Sequence, residues 1–167
     1  VNRTSFFTPV KNAFDFWLQA FSDYYIFDSD HWTLRDSRSG LEPPTIELSS
    51  HYEDVQNTIE AFGIASTKNL KTLSIEGRVL LADAILKGDV RIISQYPEIF
   101  DLNSISARTA INQAGYQQLV LGDINIIIDA RGSVRTEPMN GASSPVDSVK
   151  EQLDVVLDEL MHDLKNK

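Results

Sequence analysis

At 167 residues and 42% hydrophobic, the chain has room for one domain with appendages and enough apolar material for a core, which excludes global disorder. A net charge of −9 with no Lys/Arg cluster argues against nucleic acid and against an anionic membrane surface, both of which need a basic face. The absence of cysteine removes disulfides, thiolate nucleophiles and cysteine metal sites.

No run approaches the roughly 18 apolar residues of a transmembrane helix, and no basic-then-apolar leader opens the chain. A start at Val1 rather than Met reads as a fragment or a processed product. Val10, Phe14, Trp17, Phe21 and Tyr24, widened by Leu18 and Tyr25, form the stripe of an amphipathic core helix with Pro9 in its first turn. Asp28 to Pro44 is polar, carries Gly40 and a Pro-Pro pair, and reads as a loop. Ile46 to Leu48 reads as extended. Ser49 or Ser50 is then placed to cap a short helix presenting Tyr52, Val55, Ile59 and Phe62, with Gly63 ending it.

From Leu70 to about Asp129 the apolar residues come in short, mostly aliphatic bursts, and Leu73, Val79 and Ile85 recur every six residues. A parallel β-helix needs this pattern, with one short strand per face and an inward aliphatic on each. A helix over Ile75 to Leu86, favoured by Ala82 and Ala84, is the rival reading. An internal echo favours the β-helix: Gly88-Asp89-Val90-Arg91-Ile92-Ile93 is matched by Gly122-Asp123-Ile124-Asn125-Ile126-Ile127. The inward residues are expected to be Ile75, Val79, Leu81, Ile85, Val90, Ile92, Ile124 and Ile126. Tyr96 to Gln118 reads as coil, loop or a short helix, and Asp129 to Gly132 as a turn. Pro138 to Pro145 is a small-residue linker, and Val146, Val149, Leu153, Val156 and Leu160 then stripe a C-terminal helix.

Several segments resemble the UDP-glucose pyrophosphorylase family. Phe6-Phe7-Thr8-Pro9-Val10-Lys11 is similar to its "F-L-P-V-K", and Pro44-Thr45-Ile46-Glu47-Leu48-Ser49-Ser50-His51-Tyr52-Glu53-Asp54-Val55 to its "P-x-I-x-L-x-S-x-F-x-x-V". Leu70 to Val79, Ala84 to Ile92 and Gly122 to Ile127 resemble the strands of its C-terminal β-helix, in the same order. The departures are a missing glycine around Ala82, a longer segment between Gln95 and Gly122, and a tail after Asp129 without a family counterpart. The chain thus resembles the C-terminal region of a divergent member.

The resemblance implies a mainly β fold: a helical junction over residues 1–69, a short left-handed parallel β-helix over 70–137, a linker over 138–145 and a helix over 146–167. It implies a UTP–sugar-1-phosphate uridylyltransferase using Mg²⁺, whose glycine-rich nucleotide loop, metal ligands and catalytic base are not in this sequence. This chain would then support the catalytic domain and subunit association in a homo-oligomer, inside the cell, in cytoplasm or plastid. No residue here is assigned to catalysis or to metal binding. Lys11 stands where the family's Lys contacts the phosphates of the sugar nucleotide, a role that an ammonium near a helix start suits. Glu159 with His162 lacks the second pair that a di-iron bundle needs, and Asp28, Asp30 and His31 read as a solvated loop beside Trp32. One alternative is a stand-alone β-helix scaffold. Another, a hexapeptide acyltransferase, is disfavoured because His31, His51 and His162 all lie outside Leu70 to Asp129.

Overall fold

The computed structural model describes residues 10–28, 33–36 and 44–139. The chain divides into two compact units, Val1–Glu137 and Pro138–Lys167. The expected C-terminal helix, most of the linker before it, Pro9, and the residues Asp30, His31 and Trp32 lie outside the described residues.

The first helix, α1 (Ala13–Ala20), is shorter than the apolar stripe suggests. Asn12 has extended backbone and its side chain accepts the Asp15 N–H, so the helix begins there. At the far end the N–H groups of Phe21 and Ser22 both reach the Trp17 carbonyl, and the Ser22 hydroxyl donates to Leu18 O. Phe14 and Trp17 are therefore buried, whereas Val10 and Phe21 are 52% and 40% exposed, against expectation. Tyr24 is buried from a position beyond the helix.

Strands β1 (Tyr25–Asp28) and β2 (Thr33–Asp36) form an antiparallel pair, Tyr25 opposite Asp36. This corrects the reading of Asp28 to Pro44 as loop throughout. Polar composition does not forbid pairing, because the ladder is made by backbone groups and the partner strand supplies the bonds. Strand β3 (Thr45–Leu48) is extended as expected. A single turn of 3₁₀ helix follows at Ser50–Glu53, then α2 (Val55–Phe62). The cap of α2 is Asp54, whose carboxylate accepts the Asn57 N–H at 3.0 Å. Ser49 makes no cap bond, and its hydroxyl donates instead to Gly77 O at 2.7 Å. Gly63 closes α2 with a left-handed φ of +54°.

Most of the remaining strands of the unit pair in parallel. Strands β4 (Ser66–Glu76), β6 (Ile85–Ser94) and β8 (Val120–Ile128) stack with β3 in a five-stranded sheet ordered β3-β4-β6-β8-β9, where β9 is Val134–Pro138. The pairs β3–β4, β4–β6 and β6–β8 are parallel. A second parallel pair joins β5 (Val79–Leu80) to β7 (Phe100–Asp101). Parallel strands ordinarily need a crossover of a dozen or more residues. Here β4 reaches β6 through residues 77–84 alone, by way of β5 in the other sheet. The rival helix over Ile75 to Leu86 is absent; β5 and the start of β6 occupy that stretch.

The residues spaced by six, Leu73, Val79 and Ile85, fall on three successive strands, β4, β5 and β6. Two bursts, Ile85–Leu86 and Val90–Ile93, share the single strand β6 across a register shift at Lys87/Val90, and the β4–β6 pairing shifts at Ser66/Asn69 and Leu70/Thr72. A bulge bends a strand without ending it. In β6 the bulge uses Gly88 at φ +59°, where a Cβ would stand 2.1 Å from an Asp123 carboxylate oxygen. The echo between the strands is in register beyond that point, with Val90 beside Ile124 and Ile92 beside Ile126. Ile75, Ile92 and Ile126 form one buried row. Val79, Leu81 and Val90 are buried as expected, and Ile124 packs half-buried on the core. Ile85 is a correction: it is half-exposed, and its neighbours Ala84 and Leu86 point inward. Strand alternation from Leu86 leaves the residue before it facing out.

The position where the family pattern has a glycine near Ala82 is filled by Asp83, which takes φ +61°. Its carboxylate accepts the Ile64 N–H at 2.9 Å, a bond between residues 19 apart that ties this left-handed turn to the end of α2. The long segment after Gln95 holds β7 and α3 (Ile105–Ala110), capped by the Ser104 side chain. The turn expected at Asp129 to Gly132 is present. The Asp129 carboxylate accepts the N–H groups of Ser133 and Arg131, which hold its pKa below the usual carboxylate range.

Candidate functional site at the start of the first helix

Lys11 is exposed and sits one residue before the cap of α1, just outside the first turn where the sequence placed it. Its backbone N–H donates to an Asp15 carboxylate oxygen at 3.0 Å, while the Asp15 N–H donates to the Asn12 side chain at 2.8 Å. These reciprocal bonds form a capping box displaced by one residue. Among the described residues the Lys11 ammonium has no acidic partner.

Beside this helix start opens a cleft of about 240 Å³ between α1, β3 and the 3₁₀ turn. Asn12, Asp15, Ser49 and Glu53 supply its polar lining, and Phe14 and Ile46 part of its apolar lining. Two of its lining residues, Phe14 and Tyr52, pack on the aromatic core around Phe62. Trp17 stacks 5.0 Å from Phe62, Phe14 lies 5.3 Å from Phe62, and Tyr52 lies 5.8 Å from Phe62. The Trp17 indole N–H donates to Gly63 O at 2.8 Å.

Tyr52 joins the cleft to the β region. Its hydroxyl accepts the Val79 N–H at 2.9 Å and donates to Val79 O at 3.2 Å. Burial pushes this phenol up to about 12, although the bond to the Val79 backbone works the other way. An un-ionised hydroxyl that both donates and accepts is what those two backbone groups require.

Lys11 is the one candidate site residue singled out from the sequence, and it adjoins the cleft without lining it. Asp15 and the paired role of Tyr52 were missed. The Asn-x-x-Asp spacing of Asn12 and Asp15 was available as a capping signal; the Tyr52–Val79 pairing, 27 residues apart, left none. Asp28 ends β1, whereas Glu159 and His162 lie outside the described residues. No group of three or more His, Asp or Glu side chains among the described residues is gathered to hold a metal ion. No described helix is long and apolar enough to cross a membrane.

The mainly β fold with a few helices is shared with solved nucleotide–sugar enzymes. A UDP-glucose phosphorylase from Trypanosoma brucei superposes with a TM-score of 0.57 at 24% identity, over 74% of this chain and 24% of that one. A UDP-glucose pyrophosphorylase from Leishmania major gives a TM-score of 0.55 at 24% identity, over 72% and 23%. At the sequence level, a probable UTP–glucose-1-phosphate uridylyltransferase from Schizosaccharomyces pombe is 32% identical over 90 residues, 53% of this chain and 18% of that protein. The family model for UTP–glucose-1-phosphate uridylyltransferase matches residues 1–87, just over half of the 167. The chain belongs to that family, and it spans about a fifth of the curated relative's length.

Proposed function

We propose that this chain is the C-terminal region of a UTP–sugar-1-phosphate uridylyltransferase, supporting the catalytic domain and subunit association, with Lys11 contributing to the phosphate site. The observation that carries this is the family match over residues 1–87, which includes Lys11 and the elements around the cleft. The stacked parallel strands linked through β5 support a parallel β-helix, for which the left-handed form is our reading. Its exposed rim is the surface proposed for association in a homo-oligomer. An intracellular setting, cytoplasm or plastid, goes with this reading, as do UTP, a sugar 1-phosphate and Mg²⁺ in the complete enzyme.

Lys11 lends itself to the role by its exposed ammonium, which has no acidic partner among the described residues. A developing pyrophosphate needs cations on its oxygens, and an uncommitted ammonium supplies one without first breaking an ion pair. In the full-length protein, Lys11→Ala should lower kcat/KM about ten- to a hundredfold, the value of a charge-assisted contact. The melting temperature should be unchanged, since the side chain is exposed. Unchanged kinetics would place Lys11 outside the site.

The purified 167-residue chain should release no pyrophosphate from UTP and glucose 1-phosphate, because it carries no glycine-rich nucleotide loop. Turnover by this chain would refute the assignment to a supporting region. A full-length protein without uridylyltransferase activity would favour the scaffold reading instead.

A further inference from the structure

The geometry points to Asp15 as a positioning residue that sets the direction in which Lys11 leaves the backbone; this rests on the phosphate role proposed for Lys11. An exposed lysine on a free loop explores many backbone directions, and its ammonium is a poor fixed charge. Lys11 is not on a free loop. Its N–H is tied to the Asp15 carboxylate four residues ahead at 3.0 Å, and Asp15 is held in turn by the Asn12 side chain at 2.8 Å. Asn12 lies between them in extended conformation, φ −149° and ψ 175°. The two bonds close a loop over Lys11 to Asp15 and anchor it to a helix whose inner residues, Phe14 and Trp17, are buried. The Lys11 Cα–Cβ direction is thereby fixed relative to the cleft wall that Asn12 and Asp15 also form.

Catalysis draws on fixed charges because a preorganised group needs no reordering as the transition state forms. Asp15 touches no reacting atom in this account. It acts on Lys11 through the backbone, by accepting one N–H. A plain helix-stabilising role, a negative charge near the positive end of α1, is the competing explanation. The two differ in what a neutral acceptor does. An amide oxygen at the same place keeps the bond to the Lys11 N–H and loses the charge.

The test is a double-mutant cycle on the full-length protein, following UDP-glucose cleavage by pyrophosphate. Asp15→Ala should lower kcat/KM about three- to tenfold, on the order of one hydrogen bond. Asp15→Asn should restore it to within about twofold. In a Lys11→Ala background, Asp15→Ala should have no further effect. Equal losses in both backgrounds, or no rescue by Asp15→Asn, would overturn the positioning role. If Lys11→Ala is itself silent, the phosphate role fails on its own. Hydrogen exchange at the Lys11 amide then still decides the structural half: it should speed up in Asp15→Ala and stay slow in Asp15→Asn, and an exchange rate indifferent to Asp15 would refute the tether.

Discussion

Ile92→Asp should abolish folding of the β region. Ile92 is fully buried between Ile75 on one neighbouring strand and Ile126 on the other. Losing the aliphatic side chain alone costs about 2–5 kcal/mol. Burying a carboxyl group among aliphatics adds at least about 2 kcal/mol even after the group neutralises itself by protonation. The sum reaches the size of a domain's entire stability, about 5–15 kcal/mol. Parallel stacking makes the position unforgiving, because the row above and the row below are both in register with it. Circular dichroism and urea titration of the 167-residue chain check this, with Ile85→Asp as the contrast. Ile85 is half-exposed on the outer side of the same strand, and that substitution should leave a cooperative transition. A cooperative, near-native transition for Ile92→Asp would show that the row is not the core.

Tyr52→Phe should destabilise the chain by about 2–6 kcal/mol, more than the removal of one hydroxyl from a surface. The Val79 N–H and carbonyl have the Tyr52 hydroxyl as their partner, and Val79 is fully buried. Two buried backbone groups would lose their bonds, at about 1–3 kcal/mol each when nothing replaces them. In effect the phenol stands in for a neighbouring strand at the edge of β5. Its ionisation supplies a second signature. The folded-state value of about 12 lies above the ordinary 10.0, so the tyrosine's contribution is fully present below pH 10. It is lost as pH rises through 12, because the unfolded chain ionises first. A rise from 10.0 to about 12 corresponds to about 3 kcal/mol over that window. Urea midpoints from pH 8 to 12 should therefore fall more steeply for the native chain than for Tyr52→Phe. Parallel curves would mean that Tyr52 is not buried as a neutral donor and acceptor.

The sequence by itself determined the kinds of element and much of the core. The glycine at position 63 and the Asn-x-x-Asp box are local signals, and α2 and α1 end and begin where those residues allow. The aliphatic bursts from Leu70 onward identify strands because β-branched residues on alternating positions suit a pleated, half-buried surface. The echo of Val90 to Ile93 in Ile124 to Ile127 even gives their register, since in-register parallel stacking sets like residues side by side. The family's Lys motif likewise is a short linear match.

Tertiary structure decided what no local window contains. Whether two bursts make two strands or one depends on a bulge, and at Gly88 the Asp123 carboxylate of the next strand occupies the space that a Cβ would need. The extent of α1 was set by its caps and by which aromatic rings reach Phe62, so Val10 and Phe21 stayed outside a core their spacing suggested. Strand β2 came from pairing with β1 rather than from its own composition. The Tyr52–Val79 bond and the cleft joining α1, β3 and the 3₁₀ turn bring together residues separated by tens of positions. Periodicity reports which face of an element is apolar; which neighbour covers that face, and where a polar atom finds its partner, is fixed only when the elements pack.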